Sequence, residues 1–101
     1  MADNIKYKRP KQVAPEHQEI ISEIGKRLEG LRKKRGTSAA FLCRVSNISR
    51  NSYRQMEKGE IYFSFENFLK VLNFHKIPIH NFFDKNFEKL LSVNYFNIFL
   101  R

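Results

Sequence analysis

Apolar positions recur along this chain at spacings of three and four, and the rows break at short polar or glycine-containing intervals. Ile20 or Ile21, Ile24, Leu28 and Leu31 form the first row. That spacing predicts a long helix starting near Pro15 or Glu16, with one apolar face. Ala40, Leu42, Cys43 and Val45 form a shorter row of inward candidates; Phe41 fits either the inside or an exposed patch. Ile48, Tyr53 and Met56 form a third row, leaving Arg50, Asn51, Arg54 and Gln55 on the opposite face of the same helix. Phe65, Phe68, Leu69, Val71 and Leu72 form a fourth. Ile79, Phe82, Phe83 and Phe87 form a fifth, starting at Pro78 or Ile79 and ending between residues 83 and 91. The prediction is an all-α chain of five helices.

Residues at the row ends agree with this division. Glu16 and Glu19 lie at the positive end of the first helix dipole. Arg32, Lys33, Lys34 and Arg35 occupy its last turn, and Gly36 follows as a stop. Ser38, Ser49 and Ser64 each precede a row, where a hydroxyl accepts a backbone N–H of the first turn. Within residues 37–59 these signals predict two short helices, about 39–45 and 50–58. The turn between them contains Asn47, one of the few non-glycine residues that visit the left-handed region at small cost. Gly59 closes the second of the pair.

Two segments fall outside the pattern. Residues 1–15 are polar and basic, with Lys6, Lys8, Arg9 and Lys11 beside Pro10 and Pro15. They are expected to form a disordered arm, or one that orders along a phosphate backbone or in the minor groove. Residues 88–101 end in SVNYFNIFLR, which fits a helical face or one side of a strand. With Tyr95, Phe96, Ile98, Phe99 and Leu100 so close together, this extension is expected to pack on its own domain or on a second copy, and is the first choice for a dimerisation element. The connection at residues 60–63 is unusually apolar and is the second choice. The domain proper is expected to span residues 16–87.

Composition narrows the function classes. The 101 residues suit one small domain, and the formal charge of +9 points to a polyanionic partner. The charge is concentrated: residues 26–58 hold ten Lys and Arg against Glu29 and Glu57, which is +8 of the total. The single cysteine, Cys43, permits no internal disulfide and reads as a small core residue. No signal-peptide run and no apolar stretch of about 18 residues is present, so the default location is cytoplasmic. His17, His75 and His80 are scattered and expected at the surface. With no metal-ligand cluster, phosphate loop or paired carboxylates, neither an enzyme nor a cofactor or metal is expected.

Taken together, Ile24, Gly25, Leu28, Leu31, Arg32 and Gly36, then Ser38, Leu42, Ile48, Ser49, Met56, Glu57 and Gly59, then Ser64, Phe68, Val71, Ile77, Phe82 and Phe83 resemble the phage repressor and Cro-type (XRE-like) helix-turn-helix domain. The resemblance covers about residues 20–83. It implies a five-helix fold in which the second and third helices bind double-stranded DNA, the third entering the major groove. Arg50, Asn51, Arg54 and Gln55 would then read bases. Ser38, Ser49, Lys33, Lys34, Arg35 and Lys58 would meet the DNA backbone. Arg32 and Glu57 would form a structural ion pair. Three positions depart from the family pattern. Ala39 stands where a Gln is common, Asn47 replaces the turn glycine, and the connection after Gly59 lacks its usual basic residues.

These readings lead to a homodimeric transcriptional regulator on a palindromic site, with half-sites about 34 Å apart. A second reading is an antitoxin-like or other protein-interaction module that keeps the fold. A third is an RNA binder using Tyr7 and Tyr62 for stacking.

Overall fold

A computed structural model describes residues 12–84 and Phe87. Among the described residues, five helices follow one another: α1 (Pro15–Lys34), α2 (Ala39–Ser46), α3 (Arg50–Lys58), α4 (Phe65–His75) and α5 (Ile79–Phe82). The all-α, five-helix architecture is the one the apolar spacing calls for. α1 packs chiefly on α3, and α2 packs on both α3 and α4. The extension that holds Tyr95, Phe96, Ile98, Phe99 and Leu100 lies outside the described residues.

The ends of the first four helices fall where the sequence signals placed them. Pro15 opens α1, where its missing N–H costs nothing. Ser38, Ser49 and Ser64 cap α2, α3 and α4, accepting from Phe41, Ser52 and Asn67 N–H at 3.1, 3.0 and 3.0 Å. Asn47 ends α2 in the left-handed region (φ 59°, ψ 54°). Lys76 ends α4 in the same conformation, at φ 58°. α5 is a single turn that stops at Phe82, short of the expected end between residues 83 and 91, because Phe83 is extended.

Leu28, Leu42, Tyr53, Met56, Phe68 and Val71 are the largest fully buried side chains. Around Phe68 the rings of Phe63, Phe82 and Phe83 lie with centroids 5.2–5.8 Å away. Phe87 stacks on Phe82 at 5.8 Å and lies under the Arg27 guanidinium, which also pairs with Asp84 at 2.8 Å. Among the described residues, much of the phenylalanine content is therefore core.

Several expected inward positions point out instead. Ala40 is exposed and Val45 is 57% exposed, because α2 is short and presents only Leu42 and Cys43 to the core. On α4, Phe65 and Leu69 are exposed; of the expected row only Phe68, Val71 and Leu72 face inward. The stretch read as an arm also ends earlier than residue 15. Gln12 pairs with Ile61 in an antiparallel bridge, and Val13 packs against the core.

His75 is the clearest correction. Expected at the surface, it is 5% exposed, lies edge-on to Phe74 at 5.1 Å, and neither ring nitrogen has a hydrogen-bond partner. Burial, helped by the Arg35 charge, lowers its pKa below the ordinary imidazole value. The neutral ring is therefore the folded form, and the unfolded chain binds a proton more readily. His75 should contribute stability above the unfolded pKa of about 6.5 and lose it as pH falls toward the depressed folded value. Thermal melts at pH 7.5 and 5.5 should show lower stability at the lower pH. His75→Leu, which orphans no hydrogen bond, should flatten that dependence; an unchanged slope would mean that other groups carry it.

Candidate nucleic-acid interface

The two-helix unit is built from its turn outward. The Asn47 N–H bonds to Cys43 O as the cap of α2, and the Ile48 N–H returns to the same carbonyl at 3.0 Å. The Ile48 side chain is thereby driven into the core. Lys70 of α4 reaches the outer side of the turn and donates to Asn47 O at 3.1 Å, with Glu66 beside it at 3.5 Å. No sequence signal marked Lys70, because its partner is a backbone oxygen on another element.

α3 then divides cleanly. Tyr53 and Met56 are each 1% exposed, while Arg50, Asn51 and Arg54 are exposed. Arg54 Nη2 donates to Asn51 Oδ1 at 2.7 Å, which aligns two of the four expected reading residues as one hydrogen-bonding unit. Gln55 is half-buried and belongs to a narrow cleft of about 180 Å³ shared with Ser52, Ile61, Tyr62 and Phe63. Arg50, Asn51 and Arg54 line a separate open groove of about 570 Å³ together with Ala39. The small side chain at position 39 leaves this groove open at the start of α2.

Beneath the groove lies the expected ion pair. Arg32 Nε donates to Glu57 Oε2 at 2.8 Å and Nη2 to Oε1 at 3.2 Å, in a forked geometry. Arg32 Nη1 also donates to Thr37 O at 3.1 Å, so one guanidinium ties the end of α1 to α3 and to the start of the two-helix unit. Both side chains are well shielded, at 15% and 12% exposure. The Glu57 hydrogen bonds raise the Arg32 pKa still further. The Tyr53 hydroxyl is buried nearby without a hydrogen-bond partner, and burial above all pushes its pKa well up. Burial likewise raises the Cys43 thiol, an inert core residue.

The backbone-contact set is more dispersed. Ser38 and Ser49 spend their hydroxyls on helix caps. Lys33 pairs with Glu29 at 3.0 Å. Lys34 lines a groove of about 320 Å³ between α1 and α5, and Arg35 lines another between α2 and α4. The three consecutive basic residues thus open onto different sides of the domain. Lys58 is exposed at the end of α3. Among the described residues, Arg50, Arg54 and Lys58 form no ion pair, so their charge is available to an anionic partner. Among the same residues, no group of three or more His, Cys, Asp or Glu could hold a metal ion, and no helix is long and apolar enough to cross a membrane.

Comparison of the sequence with curated proteins gives no match. Among solved structures the chain is similar to the restriction-modification controller protein C.AhdI from Aeromonas hydrophila. The TM-score is 0.60 at 28% identity, over 64% of this chain and 98% of that one. The helix-turn-helix family model (HTH_3) matches residues 28–82. That span runs from the buried core of α1 to the end of α5 and contains the whole capped two-helix unit, and the chain belongs to the helix-turn-helix family of DNA-binding transcriptional regulators.

Proposed function

We propose that the chain is a homodimeric, sequence-specific DNA-binding regulator that places α3 in the major groove. The observation that carries this reading is the outward row on α3. Arg50, Asn51 and Arg54 are exposed, unpaired with any acid among the described residues, and presented on a helix whose other face is fixed in the core. Arg50 and Arg54 suit the O6 and N7 acceptors of guanine, and Asn51 suits the N6 and N7 edge of adenine. Gln55, half-buried in its cleft, has a supporting role at the edge of the site. Ser38, Ser49 and Lys58 flank the row at both ends and position it on phosphates. Lys33, Lys34 and Arg35 act mainly through the field they add. Dimerisation follows from the small number of base pairs one helix can read, with the apolar residues Tyr95, Phe96, Ile98, Phe99 and Leu100 as the joining element.

Selection from random duplex DNA at physiological salt should recover a palindromic site. Each base-reading Arg contributes about 1–3 kcal/mol of discrimination, so Arg50→Ala with Arg54→Ala should abolish enrichment while leaving the fold intact. Failure to enrich any site, or enrichment of the same site by the double variant, would refute the reading.

A further inference from the structure

α2 has a face that neither the core nor the reading groove uses. At about 100° per residue, Phe41 and Val45 lie roughly 200° and 240° around the helix from Ala39. They therefore stand on the side opposite the groove that holds Ala39, Arg50, Asn51 and Arg54. Both are large apolar side chains left in water, Phe41 at 44% exposure and Val45 at 57%. The helix that carries them is fixed at one end by the Ser38 cap and at the other by the Asn47 turn. Across from it, α4 presents Phe74, whose ring meets Phe41 edge-on with centroids 6.2 Å apart. Phe41, Val45 and Phe74 line an open groove of about 550 Å³ between α2 and α4.

The rim of this groove is cationic. The Arg44 guanidinium lies 5.4 Å from the centroid of the Phe41 ring, and the Arg35 guanidinium 6.0 Å from that of Phe74. Lys70 lines the groove as well, bonded to Asn47 O at 3.1 Å and paired with Glu66 at 3.5 Å. Arg35 and Arg44 form no ion pair among the described residues. Two rings and a branched side chain gain nothing from a phosphate backbone, whereas an amphipathic peptide would take them out of water. A basic or neutral peptide seated there would strip water from the rim cations and return no counter-charge. A second copy of this chain fits poorly for the same reason, since its formal charge is +9.

We propose that the groove between α2 and α4 docks an acidic amphipathic segment of another protein. Its apolar side chains cover Phe41, Val45 and Phe74, and its carboxylates meet Arg35, Arg44 and Lys70. The groove and the reading row of α3 lie on different sides of α2, so this docking is compatible with the DNA-binding reading and does not depend on it.

The probe is a phage-displayed library of random peptides, each about 16 residues long so that it can form about four helical turns, selected on the immobilised full chain. Enriched peptides should carry several Asp or Glu and pairs of aromatic or branched apolar residues three or four positions apart. Synthetic copies, titrated against the chain in solution, should bind more weakly as salt is added. Phe41→Ser with Val45→Ser should weaken them about tenfold or more, since the two supply the centre of the surface. Arg44→Glu should weaken them about three- to tenfold by reversing a rim charge. Both variants expose no buried group, and thermal melting should report an intact fold. Three results would overturn the proposal: no enriched peptide, a consensus without acidic residues, or undiminished binding to the Phe41→Ser, Val45→Ser variant. Self-association of the unmodified chain that this double variant abolishes would instead assign the face to a second copy. Loss of duplex binding in the double variant, with its fold intact, would assign the face to DNA. Each of these leaves the part played by Arg50 and Arg54 to its own test.

Discussion

Glu57→Ala should destabilise the domain by about 3–5 kcal/mol, enough to remove much of the stability of a small fold. The change leaves the Arg32 guanidinium shielded from water with only Thr37 O as partner, because both of its bonds to the carboxylate are lost. It also withdraws the one acid facing an otherwise basic groove, so Arg50 and Arg54 lose the charge that offsets Arg32 beneath them. Chemical denaturation should report the loss as a lower midpoint, and thermal melting as a fall of roughly 15 °C or more. Replacing both partners, Arg32→Met with Glu57→Leu, should cost less than Glu57→Ala alone, since no charge is then left buried. A cost below about 1 kcal/mol for the single change would show that solvent screens the pair as it does a surface one.

Gly25→Ala should be comparably damaging for a different reason. A methyl group there would collide with Glu57 O and lie 2.7 Å from Met56 O, both backbone atoms of α3 that cannot rotate away. α1 and α3 touch through their backbones at this point, so relief requires the helices to move apart and the core beneath them to open. Overpacking of this kind costs about 1–3 kcal/mol and more where backbone must shift. Gly30 provides the internal control. It lies on the same helix, a turn and a half further on, with nothing within 4 Å of the same methyl position. Gly30→Ala should therefore raise stability by about 0.5–1 kcal/mol through helix propensity. Opposite signs from one substitution on one helix, measured by denaturant midpoint, test the close approach directly. A destabilising Gly30→Ala, or a neutral Gly25→Ala, would contradict it.

The contrast between these glycines shows what the sequence could and could not reveal. Both stand inside the α1 apolar pattern, and spacing alone does not separate the one that α3 requires from the one that is tolerated; only the family resemblance, which includes Gly25 and not Gly30, does so. The caps were legible because Ser38, Ser49 and Ser64 act on N–H groups three residues away, a local relation. The inward row Ile48, Tyr53 and Met56 was legible because α3 obeys one period and its other face is polar throughout. Burial of Phe65, Leu69 and Val45 was overestimated because the helical period identifies a face but not how wide a strip the neighbouring helices cover. His75 was misplaced for the complementary reason: a polar residue in a last turn reads as solvated, whereas Phe74 and the core enclose it. The hydrogen bond from the Ala14 N–H to the Tyr62 hydroxyl joins residues 48 positions apart in sequence, and only the unusual apolar content of residues 61–63 hinted that the loop had a partner.

The division of α3 into two faces has a consequence for how such a protein changes target. Tyr53, Met56 and Glu57 fasten the helix to the rest of the molecule, while Arg50, Asn51 and Arg54 touch little beyond one another. Mutation at the latter three positions is therefore almost free of folding constraint. On the proposed reading of α3, a descendant or a designed library can take on new operator preferences at these positions while its scaffold stays intact, much as type is reset in a fixed frame.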